Sequence, residues 1–268
     1  MKIALGVEYD GSQFYGWQQQ INLRTVQGEV EKALSKIATS EVKITCAGRT
    51  DTGVHGMNQV VHFSPTVNRP IKSWIYGANS HLPKDIVIKW AQEVPEHFDA
   101  RFSAVSRKYR YIIFNHAIRP AHLRSAITWH YNKLNVSMMH EESQLLLGEN
   151  DYTSFRSSQC QANSPVRTIK QISVSQHGQL IVIDVEANAF LHHMVRNIAG
   201  VLMSVGSGRE SKGWVKQLLA QKDRTKGAET SPPYGLYLYD IKYPEEFNIP
   251  SNMSEPLFIN KLFGSKTA

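Results

Sequence analysis

The amino-acid sequence predicts an α+β fold of mainly antiparallel sheet with helices packed on one face. Two observations carry this: strand-like segments outnumber helical ones, and many neighbouring strands are linked as hairpins. A third is organisational. A boundary near residues 103–106 separates two halves of similar grammar, without a direct repeat.

Lys2 to Tyr9 reads as a strand, followed by the turn-like, aromatic DGSQFYGWQQQ. From Thr25, a plausible N-cap, apolar residues fall at Val26, Val30, Ala33, Leu34 and Ile37, which is helical spacing. Val42 to Ala47 is a short strand leading into GRTDTGVHG, and NQVVHF, Asn58 to Phe63, is strand-like again. A helix is expected from Pro70 to about His81 and a strand from Ile86 to Val94. Ser106 to Phe114 is a strong strand with Tyr109, Tyr111 and Ile113 on one face.

In the second half a helix is expected over Val136 to Leu147, ending near Gly148. Strands follow at Thr168 to Ser175 and Leu180 to Glu186, joined through a turn at His177-Gly178. Ala189 to Val205 reads as a helix with Phe190, Met194, Ile198, Leu202 and Val205 along one stripe. A last helix covers about Ser211 to Gln221, and Gly235 to Tyr243 closes as a strand. The expected organisation is an N-terminal subdomain at 1–105, a C-terminal one at 106–247, and a tail at 248–268 that wraps the surface.

The 268 residues are 41% hydrophobic, enough for one large core or two modest ones. No segment approaches the roughly 18–20 apolar residues of a membrane span. MKIALGV is interrupted by Glu8 and Asp10 too early for a secretory signal. Cys46 and Cys160 stand far apart with no metal-binding spacing, which disfavours a disulfide framework or structural zinc. A reduced, cytoplasmic protein is expected.

The net charge is +7, and the excess is uneven. From Ala100 to His140, 41 residues hold no Asp or Glu but seven cations: Arg101, Arg107, Lys108, Arg110, Arg119, Arg124 and Lys133. Further acid-free windows run from Tyr152 to Ile183 and from Ala187 to Arg209. Such a surface attracts polyanions, and a phosphate backbone gains from the counterions it releases. The alternative is a moderately basic enzyme with solvated lysines.

GRTDTGVHG, Gly48 to Gly56, concentrates a carboxylate, a guanidinium, two hydroxyls and an imidazole between three glycines. That density between two strands marks a site on a rigid frame. A plain Asx-turn, with Asp51 capping its own backbone, is the alternative. Asp51-Thr52-Gly53 also matches the aspartic-protease triplet, where two carboxylates share a proton. Only one such triplet occurs, and the neighbouring Arg49 favours an ionised carboxylate. His192 and His193 invite a metal, but neighbours on a helix point about 100° apart and no further ligand is near in sequence, so none is expected. Gly206-Ser207-Gly208 reads as a helix C-cap rather than a dinucleotide loop.

GRTDTGVHGMNQVVHF resembles the catalytic motif of the TruA family of tRNA pseudouridine synthases, GRTDxGVHA. The resemblance continues through VEYDGSQFYGWQQQ, DARFSAVSRKYRYIIF, DYTSFRSSQCQ, NAFLHHMVRNIAGVLMSVG, KDRTKGAETSPPYGLYL and EPLF, in order along nearly the whole chain. Gly56 departs from the motif's usual Ala, a small-for-small change. The resemblance implies a pseudouridine synthase fold of two similar subdomains with an active-site cleft between them.

It also implies roles. Asp51 maps to the nucleophile and Arg49 to the arginine that fills the gap left by an extruded uridine. Tyr109 matches the tyrosine against the target base, where a ring can stack and a hydroxyl can assist loss of the C5 proton; a core tyrosine is the alternative, as expected for Tyr111. Arg196 resembles the partner that holds the carboxylate ionised, although from a helix it can equally reach solvent. Arg101, Arg107, Lys108, Arg110 and Arg156 are candidate phosphate contacts. The implied reaction isomerises uridines 38 to 40 of the tRNA anticodon stem-loop, needs no cofactor or metal, and is performed by a homodimer. A tRNA-binding protein or RNA chaperone on the same scaffold is the competing reading.

Overall fold

The computed structural model describes residues 1–251. The rest of the tail, including EPLF at 255–258, lies outside them. The described residues form two compact units: Met1–Arg107 together with residues 237–251, and Lys108–Leu236.

The first unit is organised around β1 (Lys2–Tyr9), where the apolar run predicted it. The strand is buried on both faces: α1 (Val26–Ala38) brings Val30 and Leu34 into the core with Ile3, Leu5 and Val7, and the Trp90 side chain lies against Gly6. Thr25 caps that helix, its hydroxyl accepting the Gly28 N–H at 3.3 Å. The strand expected over Val42 to Ala47 shrinks to β2 (Thr45–Cys46). The reason is local: Ser35 and Glu31 of α1 accept the N–H groups of Val42 and Ile44, which a ladder would otherwise use. β3 (His55–Phe63) begins three residues earlier than expected. The helix predicted for 70–81 widens into a π-turn over Ser73–Gly77 before α2 (Ala78–His81), with Trp74 fully buried. With β4 (Ile86–Val94) antiparallel to β1, the strand order is β4-β1-β3.

The second unit opens with β5 (Ser106–Asn115), which β6 (Thr128–His130) joins in parallel. α3 (Val136–Gln144) is capped by Asn135 and ends a turn earlier than expected. β7 (Gly148–Asp151), β8 (Val166–His177) and β9 (Leu180–Ala187) give the order β5-β9-β8-β7. Gly178, at φ +60°, makes the predicted turn of the β8–β9 hairpin.

α4 (Met194–Gly206) starts five residues later than the periodicity suggests. Asn188 accepts the N–H groups of Thr168 and Ala189, and the His192 carbonyl accepts the Ser157 N–H. These bonds hold 188–192 outside a helix, and His193 then turns at φ +62°. The C-cap at Gly206-Ser207-Gly208 is as expected, with Gly208 at φ +76°. α5 (Trp214–Gln221) follows Gly213.

β10 (Leu236–Lys242) returns to the first unit and lies parallel to β3, with Tyr237 beside His55 and Leu238 beside Gly56. Both units are thus α+β and mainly antiparallel, with parallel pairs at β3–β10 and β5–β6.

Candidate active site

The loop from Gly48 to Val54 joins β2 to β3, and its backbone is fixed from both ends. At the start, the buried amide of Gln59 spans Gly48, accepting its N–H at 3.3 Å and donating to its carbonyl. At the far end, the Asp51 carbonyl accepts the Val54 N–H at 3.1 Å, and Gly53 takes φ +79° at the third position of this turn. Only glycine adopts that conformation at no steric cost.

The segment after β1 presses against the loop from behind. A Cβ on Gly16, already at φ +86°, would stand 2.8 Å from the Thr50 carbonyl oxygen, and one on Gly11 would stand 1.9 Å from that of Val54. Backbone therefore packs on backbone. The Trp17 N–H bonds the Thr50 carbonyl at 3.0 Å, and the Tyr9 hydroxyl lies 2.8 Å from Thr50 Oγ1. Thr50 is buried, whereas Arg49 and Thr52 on either side of the Thr50-Asp51 pair are exposed and Asp51 is half-buried. The alternation suits a site: the framework residue points in, and Arg49, Asp51 and Thr52 remain reachable.

Gly56 is tighter than a small-for-small exchange suggests. A Cβ there would fall 2.4 Å from the Tyr9 ring, so alanine requires movement of the residue that holds Thr50. His55 begins β3 buried, stacked on Tyr237 with ring centres 4.6 Å apart. Its Nδ1 lies 3.1 Å from both the Gly11 nitrogen and the Asp10 carboxylate. The ring accepts the Gly11 N–H, and the Asp10 carboxyl is held far below its usual range by His55 and next by the Ser12 N–H. These contacts tie the turn after β1 to the end of the loop. Beside the loop, burial pushes the Cys46 thiol up to about 11, opposed by the positive charge of Arg49.

Tyr109 and Arg196 belong to the second unit. Tyr109 is buried on β5, its ring edge-on to Phe190 at 4.9 Å. Arg196 sits in the first turn of α4, half-buried, with Nε donating to the Ser231 carbonyl at 2.8 Å while the Ser231 N–H returns to the Arg196 carbonyl. The KDRTKGAET segment is tied to the same helix: Asn197 receives bonds from Arg224 and Thr230, and Gly200 leaves no room for a Cβ beneath the Glu229 carbonyl. Tyr111 is the fully buried core tyrosine expected. His192 and His193 precede α4 rather than lying on it, with their rings 4.0 Å apart, so the helical-divergence argument does not describe them.

The candidate phosphate contacts divide sharply. Arg101 is exposed, its guanidinium over Phe102, and Arg156 and Lys108 are half-buried. Arg107 donates to the carbonyls of Ala47, Ala104 and Arg101, bracing the approach to the loop. Arg110 is buried in a two-pronged bond to Asp184, both distances 2.8 Å. Sequence reasoning assigned no role to Tyr9, Gly11, Gly16, Gln59 or the Asp10–His55 pair. The glycines and aromatics of DGSQFYGW were their available signal.

Similarity to known proteins matches this geometry. A family model described as tRNA pseudouridine synthase matches residues 6–103 and 143–244. The chain is 60% identical over 259 residues to tRNA pseudouridine synthase A of Legionella pneumophila (strain Lens), covering 97% of this chain and 99% of that protein. It is 52% identical over 259 residues to tRNA pseudouridine synthase A of Vibrio parahaemolyticus serotype O3:K6 (strain RIMD 2210633), covering 97% and 98%. Matched on both sides of its midpoint and along nearly its full length, the chain belongs to the TruA family of tRNA pseudouridine synthases.

Proposed function

We propose that this protein isomerises uridine to pseudouridine at positions 38, 39 and 40 of the tRNA anticodon stem-loop, with Asp51 as nucleophile. The observation that carries the reading is the Gly48–Val54 loop, where a half-buried carboxylate stands on a backbone fixed by Gln59, Tyr9 and two glycine approaches. Preorganisation of this kind lets a carboxylate attack without first ordering its own support.

The reaction balances within the substrate. The C1′–N1 bond breaks, the base turns, C5 bonds to C1′, and C5 loses the proton for which N1 has an equivalent site. Asp51 forms and releases the covalent adduct, at the ribose or on the base. Arg49, exposed beside it, fills the space of the flipped nucleotide. Tyr109 lies against the base, its buried position on β5 suiting a fixed platform, and Arg196 pairs with the Asp51 carboxylate. Arg101, Lys108 and Arg156 contact phosphates. Arg107 and Arg110 have the least support for that role, since both guanidiniums already engage protein acceptors.

The enzyme works as a homodimer in the cytoplasm, where its substrate is found. Among the described residues no helix is long and apolar enough to cross a membrane. The decisive experiment is Asp51→Asn assayed for tritium release from C5-labelled uridine in tRNA. Turnover is expected to vanish while tRNA affinity is retained; a variant that still releases tritium rules out the nucleophile.

A further inference from the structure

The second unit holds a cavity of about 250 Å³ that none of the four residues proposed for chemistry lines. Its walls come largely from the excursion between β5 and β6, within residues 104–142 that the family model leaves unmatched. Arg119, Arg124, Trp129 and Tyr234 line the cavity together with Thr128 and Pro232.

Part of this lining is built rather than incidental. The fully buried Tyr111 hydroxyl lies 2.7 Å from Thr128 Oγ1 and 2.8 Å from the Pro232 carbonyl, so one phenol fixes two lining residues. Gly235 permits this closeness, because a Cβ there would fall 2.4 Å from the Ile112 carbonyl oxygen. Trp129 donates its indole N–H to the His116 carbonyl at 2.7 Å, yet remains 40% exposed. Its polar edge is satisfied and its orientation set, while apolar ring surface stays open. Tyr234 adds a second exposed ring.

The two arginines differ from Arg107 and Arg110. Both are exposed, and among the described residues neither makes an ion pair or a hydrogen bond. No Asp or Glu occurs between Ala100 and His140 to neutralise them. Two uncompensated guanidiniums beside a fixed indole face select a ligand that is anionic at one end and flat at the other. We infer that this cavity holds a second, unpaired nucleotide of the RNA substrate, its phosphate between Arg119 and Arg124 and its base against Trp129.

The inference rests on the proposed tRNA activity, and the test separates the two. In vitro transcribed tRNA is bound to the full-length protein across a salt series, and pseudouridine formation is measured with the same RNA. Arg119→Ala/Arg124→Ala is expected to lower the salt slope of binding by about one. Trp129→Ala is expected to weaken binding about tenfold with the slope unchanged, and Trp129→Phe to recover most of that loss. In each variant KM rises while kcat at saturating tRNA stays at the wild-type value, which also shows that the variants fold. Wild-type affinity and slope in the double variant overturn the site, and so does a fall in kcat at unchanged KM. If the wild type binds tRNA but forms no pseudouridine, the proposed activity fails while the cavity is still judged by the binding series.

Discussion

The acid-free stretch contains two groups of arginines that look alike in sequence and behave as opposites. Arg107 and Arg110, at the start of β5, turn their guanidiniums onto protein, one onto three carbonyls and the other onto Asp184. Arg119 and Arg124, on the excursion after β5, have no such acceptor among the described residues. The difference follows from backbone context. A strand inside a sheet places its side chains among other elements, where a charge needs a partner, while an exposed excursion leaves its charges to solvent and to anionic ligands. Local charge density therefore measures attraction to RNA only after the internally bonded cations are subtracted.

Four experiments can break that comparison. The largest effect is expected for Arg110→Ala, which leaves Asp184 without its two-pronged partner. Breaking a largely buried pair costs about 3–5 kcal/mol, read by urea denaturation, while the salt slope of tRNA binding stays put. A slope that fell with stability intact would return Arg110 to the RNA surface. Arg107→Ala removes donors from three carbonyls and is expected to cost about 1–3 kcal/mol. It should also lower kcat, because the Ala47 carbonyl it holds leads directly into the Gly48–Val54 loop proposed to carry the nucleophile.

Arg101→Ala probes an exposed arginine just before β5: stability should change by less than about 0.5 kcal/mol while the salt slope falls by about 0.7–0.9. The mildest probe is pH. Burial pushes His62 below its ordinary value, with Asp99 opposing, and its Nδ1 accepts the Ala100 N–H at 3.0 Å as a neutral ring. On acidification the unfolded chain takes up the proton first. The His62 contribution is therefore complete above about pH 6.5 and declines as pH falls below it. His62→Asn keeps an acceptor without the titration, so urea midpoints between pH 5 and 7 should vary less than in the wild type.

Much of this architecture is legible in the sequence. β1, β4 and the β8–β9 hairpin follow from apolar runs and a turn glycine, and Asp51 stands out through the density of polar groups around it. The start of α4 does not, because side-chain and carbonyl bonds to Thr168, Ala189 and Ser157 override a helical stripe that is genuinely present. The support beneath Asp51 is equally hidden. Gly11 and Gly16 act through the absence of a Cβ against a loop some 40 residues away, and no periodicity encodes such an approach. Gln59 looks like an ordinary polar position on a strand until its amide is found spanning Gly48.

The return of β10 bears on how the protein is made. His55 and Gly56, which follow the Gly48–Val54 loop and begin β3, have as parallel neighbours Tyr237 and Leu238, near the far end of the chain. During translation at roughly 5–20 residues per second, Asp51 leaves the ribosome many seconds before the strand that completes its own unit. Until then the start of β3, beyond its pairing with β2, presents unpaired backbone, a template for wrong pairing. The unit that carries Asp51 is first to be synthesised and last to be finished, so a nascent chain stalled before residue 237 holds every proposed catalytic side chain and still lacks the strand that closes the frame around the first of them.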